Sequence, residues 1–300
     1  MYKVQILMST YNGESFLVEQ IDSLLAQKDV DIDILVRDDG STDQTKNILE
    51  DYQQRGLLIW YDGENLKSAK SFMNLLSKAK GADYYAFCDQ DDFWETNKLK
   101  KAIDSLSLIR ETKPALYLSN TNLVDSDLNP ISSPRIKTLL TFGESLIRNS
   151  ATGCTVVFNN QLLNSLKGFT PSFLLMHDSW AYQVCLALGG CVYFDEESFI
   201  KYRQHGNNVV GGNESFISKL KKRCKIYFGN NGGERFLNAE QLYIGYSDQM
   251  IESNRVLLLD LLNYKKSFKL KFKLIGSSRY KTANEESNIG FLISILFNRY

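Results

Sequence analysis

An acidic cluster directly after a short apolar run is the part of this sequence best suited to chemistry. Asp89, Asp91 and Asp92 follow residues 84–88, a run typical of a buried strand. Three carboxylates at this spacing repel one another unless a cation lies among them. Carboxylate oxygens at alternate positions suit a hard divalent cation such as Mg²⁺ or Mn²⁺, which in turn binds diphosphate. The residues alone also allow a solvated turn whose acids cap a helix predicted over residues 94–109.

The first half of the chain predicts the elements that position this cluster. Short apolar runs alternate there with segments of helical period. The predicted strands are residues 4–8, 32–36, 57–61, 84–88 and 116–119. Strand and helix in alternation predict an α/β fold with a mostly parallel sheet flanked by helices. Ligands bind at the carboxyl edges of such sheets, so residues 9–12, residues 38–41 and the acidic cluster are expected on one rim.

Composition restricts the class of protein. Three hundred residues with 43% hydrophobic side chains suffice for one large domain, alone or with a smaller appendage. Five cysteines are an odd number and include no Cys-x-x-Cys pair, which favours reduced thiols over disulfides or zinc ligands. With no apolar run of about 18 residues and no leader-like start, the sequence predicts a cytoplasmic protein.

Four short motifs carry a family resemblance. They read MSTYNG at residues 8–13, VRDDGSTD at 36–43, FCDQDDFW at 87–94, and HDSW at 177–180 with YRQHGNN at 202–208. In this order and spacing, over about residues 3–210, the chain resembles the family 2 glycosyltransferases of the GT-A fold. Within that family it is similar to the bacterial rhamnosyltransferase-like branch, which builds surface polysaccharides.

The resemblance implies a set of residues that bind the nucleotide. Thr10, Tyr11 and Asn12 match the loop that frames the base, where a tyrosine offers an aromatic face and a hydroxyl. Asp39 matches the carboxylate that accepts a hydrogen bond from a pyrimidine ring N–H. Many relatives carry Asn-x-Gly where this chain has Lys67 as the third residue, so the loop on the donor side is expected to differ in shape.

The same resemblance implies a metal site for Mg²⁺ or Mn²⁺. Asp89 and Asp91 match the ends of the DXD motif, the first near the ribose and metal and the second on the metal itself. His205 matches a position that contacts the metal or the leaving diphosphate, with a loop hydrogen bond as the alternative. Arg203 is a candidate phosphate partner, although an outward-facing strand arginine is the commoner arrangement. Asp92 either joins the site or caps the next helix.

Asp178 matches the catalytic base of the family, which takes the proton from the acceptor hydroxyl as the diphosphate leaves from the opposite face of the sugar. It stands at the start of a helix predicted over residues 177–188. A helix N-terminus lowers a carboxylate pKa, so we expect an ionised Asp178 at neutral pH. From the residues alone, a carboxylate that only caps or opens this helix is the favoured interpretation, and the resemblance favours the base.

The resemblance divides the chain into two predicted regions. Residues 1–213 form the catalytic domain, with nucleotide-sugar binding over about 1–120 and the acceptor side over about 121–213. Residues 214–300 form a helical extension with 15 Lys and Arg against 8 Asp and Glu, whereas residues 1–213 have 20 against 27. Basic and apolar side chains interleave in this extension, which suits either a helix on anionic lipid or the solvated faces of ordinary helices.

The expected function is therefore an inverting, metal-dependent glycosyltransferase. It would use a dTDP- or UDP-type sugar, plausibly dTDP-L-rhamnose, to extend a polysaccharide or lipid-linked acceptor at the inner face of the membrane, without binding nucleic acid. A sugar nucleotidyltransferase is disfavoured, since residues 9–14 lack the glycine-rich, basic phosphate loop. The other alternative is a non-catalytic, membrane-associated carbohydrate-binding or assembly protein with the same fold.

Overall fold

A seven-stranded sheet carries the rim that the sequence predicts. The computed structural model describes residues 1–110, 112–132, 135–204 and 233–300. The strands are β1 (Lys3–Thr10), β2 (Asp31–Asp38), β3 (Ile59–Asp62), β4 (Tyr84–Cys88), β5 (Phe93–Trp94), β6 (Ala115–Ser119), β7 (Asn122–Val124), β8 (Val157–Asn159), β9 (Cys191–Asp195) and β10 (Ile200–Arg203). The large sheet has the order β3-β2-β1-β4-β8-β6-β9. Only β8 runs antiparallel to its neighbours, so the predicted mostly parallel sheet is confirmed.

Helices cover both faces of this sheet. They are α1 (Leu17–Leu25), α2 (Thr45–Gln54), α3 (Lys67–Lys78), α4 (Lys98–Leu106), α5 (Phe142–Ile147), α6 (Asn160–Lys167), α7 (His177–Ala187), α8 (Glu234–Tyr246), α9 (Glu252–Asn263), α10 (Phe268–Gly276) and α11 (Glu285–Leu296). Successive strand residues point to opposite faces, so Leu7 and Phe87 pack against α3 and α7 while Met8 and Cys88 pack against α1 and α4. The two apolar clusters fix the sheet from both sides.

A second, three-stranded sheet was missed from the sequence. Its order is β5-β10-β7, and its two-residue strand β5 lies where the sequence predicts the start of a helix at residue 94. Helix α4 begins only at Lys98, because the Trp94 backbone N–H donates to the Ser23 hydroxyl and the Glu95 N–H donates to the Phe199 carbonyl. Strands this short show no period in a sequence. In this small sheet, β5 follows the acidic cluster and pairs with β10, which ends at Arg203, so Arg203 lies next to the cluster.

The C-terminal helices pack into the core of the preceding residues. Leu242, Leu258 and Ile295 are fully buried in the same apolar cluster as Trp180 of α7. Polar contacts add to this packing, since the Ala283 N–H donates to the buried Glu144 carboxylate of α5 at 3.0 Å. None of the helices in the described part of the chain has the length and apolar character needed to cross a bilayer.

One buried amide connects the C-terminal region to the helix that carries Asp178. Asn238 of α8 is only 2% exposed, and its Oδ1 accepts a hydrogen bond from the Leu175 N–H at 3.1 Å, just before α7. Its Nδ2 donates to Gln183 Oε1 within α7 at 2.7 Å. Asn238 therefore holds both the entry and the body of α7, which fixes the position of Asp178.

We predict that Asn238→Ala lowers the free energy of unfolding by about 1–3 kcal/mol, because it leaves a buried N–H and a buried amide oxygen without partners. Glu240→Ala, at an exposed position of the same helix, is the matched control and should change stability by less than about 0.5 kcal/mol. Urea denaturation measures both. Equal effects of the two substitutions would contradict the role of Asn238 in holding α7.

Candidate active site

The loop after β1 is held to the acidic segment by one glutamine. Gln90 Oε1 accepts hydrogen bonds from the Thr10 hydroxyl at 2.6 Å and the Tyr11 N–H at 2.7 Å, and its Nε2 donates to the Tyr11 carbonyl at 3.2 Å. The sheet register explains this contact, because Met8 lies opposite Cys88 and two further residues bring Thr10 to Gln90. Gln90 has no role predicted from the sequence, although it occupies the centre of the acidic motif.

The three predicted base-framing residues differ in what they present. Thr10 is buried, and its hydroxyl is used by Gln90. Asn12 has a positive φ of 47°, and its Oδ1 accepts from the Thr42 N–H at 2.9 Å, which ties the first loop to the second. Tyr11 is 46% exposed between them, so its ring is available to a ligand. Thr10 and Asn12 thus anchor the loop on either side of Tyr11, whose ring stays exposed.

The paired acids after β2 have separate tasks. Asp38 Oδ2 accepts from the backbone N–H groups of Gly40 and Ser41, so Asp38 closes the turn. Asp39 forms a buried ion pair with Arg37 and accepts from the Leu66 N–H at 3.0 Å.

A third donor to Asp39 is the backbone N–H of Lys67, 2.9 Å from Oδ2. Lys67 has φ of +63°, a left-handed conformation that favours glycine. The lysine keeps that conformation because its N–H is held by both Asp39 and Asn65. With three hydrogen bonds received and about four lone-pair sites, the Asp39 carboxylate keeps roughly one acceptor position on Oδ2.

The acidic cluster is brought together with a buried thiol. Ligand atoms of Asp89, Asp92 and Cys154 all lie within 4.8 Å of one another. Asp92 Oδ1 accepts from the Arg203 N–H at 3.1 Å, whereas its buried Oδ2 has no hydrogen-bond partner among the described residues. Asp91, the predicted direct metal ligand, lies outside this triad but close enough for its charge to raise the pKa of Asp89. His205, the other predicted ligand, lies outside the described residues.

Burial and crowding of negative charge shift these acids toward the protonated form. Burial, followed by the charges of Asp91 and Asp178, raises the pKa of Asp89 to about 7. Burial also raises the pKa of Asp92 well above its usual range. A cation bound among these groups would reverse both shifts. The electrostatics of the cluster therefore favour either a protonated carboxyl or a positive charge nearby.

Two buried cations border the cluster. Arg203 is 2% exposed, donates from Nε to the Asp91 carbonyl at 2.8 Å and pairs with Glu19, so its side chain is directed at protein groups. The alternative of an outward-facing Arg203 is therefore wrong. These contacts also give no support to a direct contact between Arg203 and a phosphate. Lys98, which has no role predicted from the sequence, is buried with Nζ 3.3 Å from the centre of the Trp94 ring. Burial lowers the pKa of Lys98 to about 8.

Asp178 lies in the first turn of α7, as predicted, but its pKa moves in the opposite direction. The Ser179 N–H donates to Oδ1 at 2.6 Å and Asn149 Nδ2 donates to Oδ2 at 3.4 Å. These bonds lower the pKa, yet burial outweighs them and raises it to about 6. The expectation of a lowered pKa was wrong, because the helix start is enclosed and not solvated.

His177, the residue before Asp178, packs into the apolar core. Its ring stacks on Phe72 at 3.7 Å between ring centres and meets Phe87 edge-on at 4.8 Å. Burial lowers the pKa of His177 to about 3, so the ring is neutral at physiological pH. This neutral imidazole, packed among apolar rings, fixes α7 against β4.

An open cleft of about 810 Å³ adjoins the small sheet. It lies past the carboxyl ends of β6 and β9, where Asn120 Nδ2 donates to the Glu196 carbonyl at 2.7 Å. Asn122, Arg135 and Ser198 also line it, so its surface is mostly polar. Since β6 and β9 run in the direction of β1 and β4, the cleft opens on the same rim as the acidic cluster.

Comparison with known proteins agrees with this geometry. The sequence profile described as glycosyl transferase family 2 matches residues 5–163. A dTDP-rhamnosyl transferase of Shigella flexneri, RfbG, is 32% identical over 233 residues, which cover 72% of this chain and 77% of the relative. This chain belongs to glycosyl transferase family 2. The protein is therefore a glycosyltransferase by family.

Two further relatives extend the comparison. The putative teichuronic acid biosynthesis glycosyltransferase TuaG of Bacillus subtilis is 25% identical over 255 residues, 83% of this chain and 96% of TuaG. Residues 1–349 of Staphylococcus aureus TarS, solved with UDP-GlcNAc, superpose with a TM-score of 0.57 at 17% identity, covering 98% of this chain and 90% of that structure. The structural likeness supports the GT-A fold predicted from the sequence.

We predict that Gly13→Ala disrupts the loop after β1. An added Cβ would lie 2.5 Å from Gln90 Oε1 and 2.9 Å from the Thr10 hydroxyl, so Gln90 must move and lose its hydrogen bonds. The free energy of unfolding should fall by about 1–3 kcal/mol. Gly276→Ala, where nothing lies within 4 Å of an added Cβ, is the control and should not destabilise the protein. Equal losses in urea denaturation would contradict this account.

Proposed function

We propose that the protein is an inverting, metal-dependent glycosyltransferase that moves a sugar from a pyrimidine nucleoside-diphosphate sugar to a glycan acceptor. The observation that carries the proposal is the closeness of Asp178 to the acidic cluster. The charges of Asp91 and Asp178 both raise the pKa of Asp89, and a Cβ at Gly153, next to Cys154 of the cluster, would lie 3.8 Å from the Asp178 Cβ, which supports a base beside the proposed diphosphate site. Donor and acceptor would therefore meet between α7 and the end of β4.

The donor nucleotide fits the loops after β1 and β2. Tyr11 offers an exposed aromatic face for the base, and the remaining acceptor position of Asp39 suits the ring N–H of uracil or thymine. Gln90 and Arg37 act indirectly, since they hold Tyr11 and Asp39 in place. A purine base offers a different pattern of donors, which favours UDP- and dTDP-type donors.

The residues present fit a divalent cation. Asp89 and Asp91 supply hard oxygen ligands, and burial and the charges of both residues raise the pKa of Asp92 beside them, so a cation there would offset crowded negative charge. Asp89 and Asp91 would hold the ion, with His205 a further candidate ligand. When bound, Mg²⁺ or Mn²⁺ would act as a Lewis acid that stabilises charge on the leaving diphosphate. The Arg203 contacts keep the acidic loop in place for this role.

Asp178 would accept the proton of the attacking acceptor hydroxyl. A base works best when its pKa is not far below the working pH, and burial raises the pKa of Asp178 to about 6. Asn149 and the Ser179 N–H orient the carboxylate, so one oxygen is fixed by the helix start. The acceptor glycan would occupy the polar cleft near Asn122 and Ser198, whose amide and hydroxyl groups suit sugar hydroxyls.

L-Rhamnose from dTDP-L-rhamnose is the proposed donor sugar, and the acceptor is a growing surface polysaccharide or a lipid-linked glycan. The relatives support this assignment, since RfbG is described as a dTDP-rhamnosyl transferase and TuaG as a teichuronic acid biosynthesis glycosyltransferase. A non-catalytic carbohydrate-binding role is disfavoured, because perturbed carboxylates cluster at catalytic sites, and the pKa values of both Asp89 and Asp178 are raised, mainly by burial.

Transfer should depend on the ionisation of Asp178. Because a base must be deprotonated, kcat at saturating donor and metal should fall about tenfold per pH unit below about 6 and level off above it. Asp178→Asn should lower kcat by about 10²–10⁴-fold and remove the dependence on this group, while donor binding persists. Asp51→Asn, at an exposed site on α2, is the control and should behave as wild type. Near-normal turnover by Asp178→Asn would remove Asp178 from the role of base.

Donor and metal should bind together. In a thermal-shift assay dTDP-L-rhamnose with Mn²⁺ should raise Tm more than either alone, since ligands that bind only the native state stabilise it by about 2.7 kcal/mol at 100 times Kd. Asp91→Ala should abolish the Mn²⁺-dependent part of the shift. UDP-sugars test the choice of pyrimidine, and GDP-mannose serves as the purine control. If the nucleotide raised the Tm of the wild-type protein by the same amount with and without Mn²⁺, the proposed metal dependence would be overturned.

A further inference from the structure

The C-terminal helices leave an apolar edge in solvent. Phe268 and Phe272 of α10 are 78% and 67% exposed, and Leu296 and Phe297 at the end of α11 are 52% and 62% exposed. These four residues form what we call the aromatic edge. Aromatic side chains with this much exposure are unusual, since Phe normally stabilises a fold by being buried.

The members of the aromatic edge lie next to one another. Phe268 and Phe272 are four residues apart, so they project from the same side of α10. The Lys271 ammonium links the two helices, because it lies 5.4 Å from the centre of the Phe268 ring and 3.5 Å from the Leu296 carbonyl oxygen. Helix α10 packs inward through Leu274, which is 1% exposed. The aromatic rings are thus displayed outward by a helix that is anchored elsewhere.

Basic residues surround this edge. Lys265, Lys266, Lys269 and Lys273 are exposed on or beside α10, and Arg299 follows α11. Lys273 pairs with Asp260 at 2.6 Å. The acids of α11, Glu285 and Glu286, stand in its first turn, about 15 Å from its C-terminal end at 1.5 Å per residue. The end of α11 that joins the aromatic edge is therefore the basic end.

We propose that the aromatic edge is a docking face for an anionic lipid bilayer. Phe and Leu side chains that project from the protein suit the boundary between headgroups and acyl chains, and the lysines beside them suit the phosphates of anionic lipids. A second copy of this chain is a poorer occupant, since a two-fold contact through this edge would bring its lysines against one another.

The sequence leaves two alternatives for residues 214–300, a helix on anionic lipid or the solvated faces of ordinary helices. The proposed docking face favours the first, but only for part of this region. The apolar run over residues 289–297 is only partly available to lipid, because Phe291 and Ile295 are buried in the core. The basic run over residues 219–223 lies outside the described residues. Helix α10 and the end of α11 therefore carry the proposal. This face belongs to the packed unit that includes α7, so docking would hold the catalytic helix in a fixed relation to the membrane.

Vesicle co-sedimentation of the full chain tests the proposal. The protein should bind vesicles that contain phosphatidylglycerol at least tenfold more tightly than phosphatidylcholine vesicles, and added salt should weaken this binding. Phe268→Ser with Phe272→Ser should reduce binding at least tenfold. Ile59→Ser with Leu108→Ser removes two equally exposed apolar side chains elsewhere and should leave binding unchanged. Lys266→Glu with Lys269→Glu should remove the preference for phosphatidylglycerol.

The outcomes separate docking from catalysis. Vesicle binding is measured without donor or turnover, so it does not depend on the proposed function, and the Phe variants should retain wild-type donor binding in thermal shift. Absence of wild-type binding to phosphatidylglycerol vesicles, or equal losses in the Phe variant and the Ile59/Leu108 control, would overturn the proposal. So would conversion of a dimer to a monomer by the Phe substitutions in sedimentation velocity without lipid, which would identify the edge as a self-association face.

Discussion

The arrangement of the site depends on how buried carboxylates are compensated at one rim of the sheet. Asp38 is satisfied by backbone N–H groups of its own turn, and Asp39 by Arg37 and the N–H groups at the start of α3. Asp92 receives a hydrogen bond on one oxygen only, and Asp89 sits between the charges of Asp91 and Asp178. The compensated acids shape loops, and Asp39 keeps only one acceptor position for the proposed contact with the base. The undercompensated acids favour a nearby cation or a proton, and metal binding and proton transfer are proposed for this second group for that reason.

The same rim explains why glutamine stands inside the acidic motif. A fourth carboxylate at position 90 would repel its neighbours and would not be able to donate to the Tyr11 carbonyl, as the Gln90 amide does. Gln90 both accepts and donates, so it couples the loop that presents Tyr11 to the segment that carries the acids. The loop proposed to bind the nucleotide and the segment proposed to bind the diphosphate are thereby held together by one neutral side chain.

The C-terminal helices support the helix that carries Asp178 through packing and hydrogen bonds. Asn238 fixes the entry and the body of α7, and Glu144 of α5 accepts a hydrogen bond from Ala283. The helix that carries the proposed base is therefore held by residues more than fifty positions further along the chain. An enzyme whose base must lie within hydrogen-bond reach of an acceptor hydroxyl requires this kind of rigid support.

The sequence by itself determined the sheet and the location of the rim. Its strand periods, the acids after residue 88 and the motif at residues 177–180 are local signals, and local signals set strands, turns and helix starts. Tertiary structure decided the rest: the raised pKa of Asp178, the inward direction of Arg203, the pairing of Asp39 with Arg37 and the two-residue strand β5. Each of these depends on which distant groups enclose a side chain, and burial of a charge is a property of that enclosure. A pattern of neighbouring residues does not encode it.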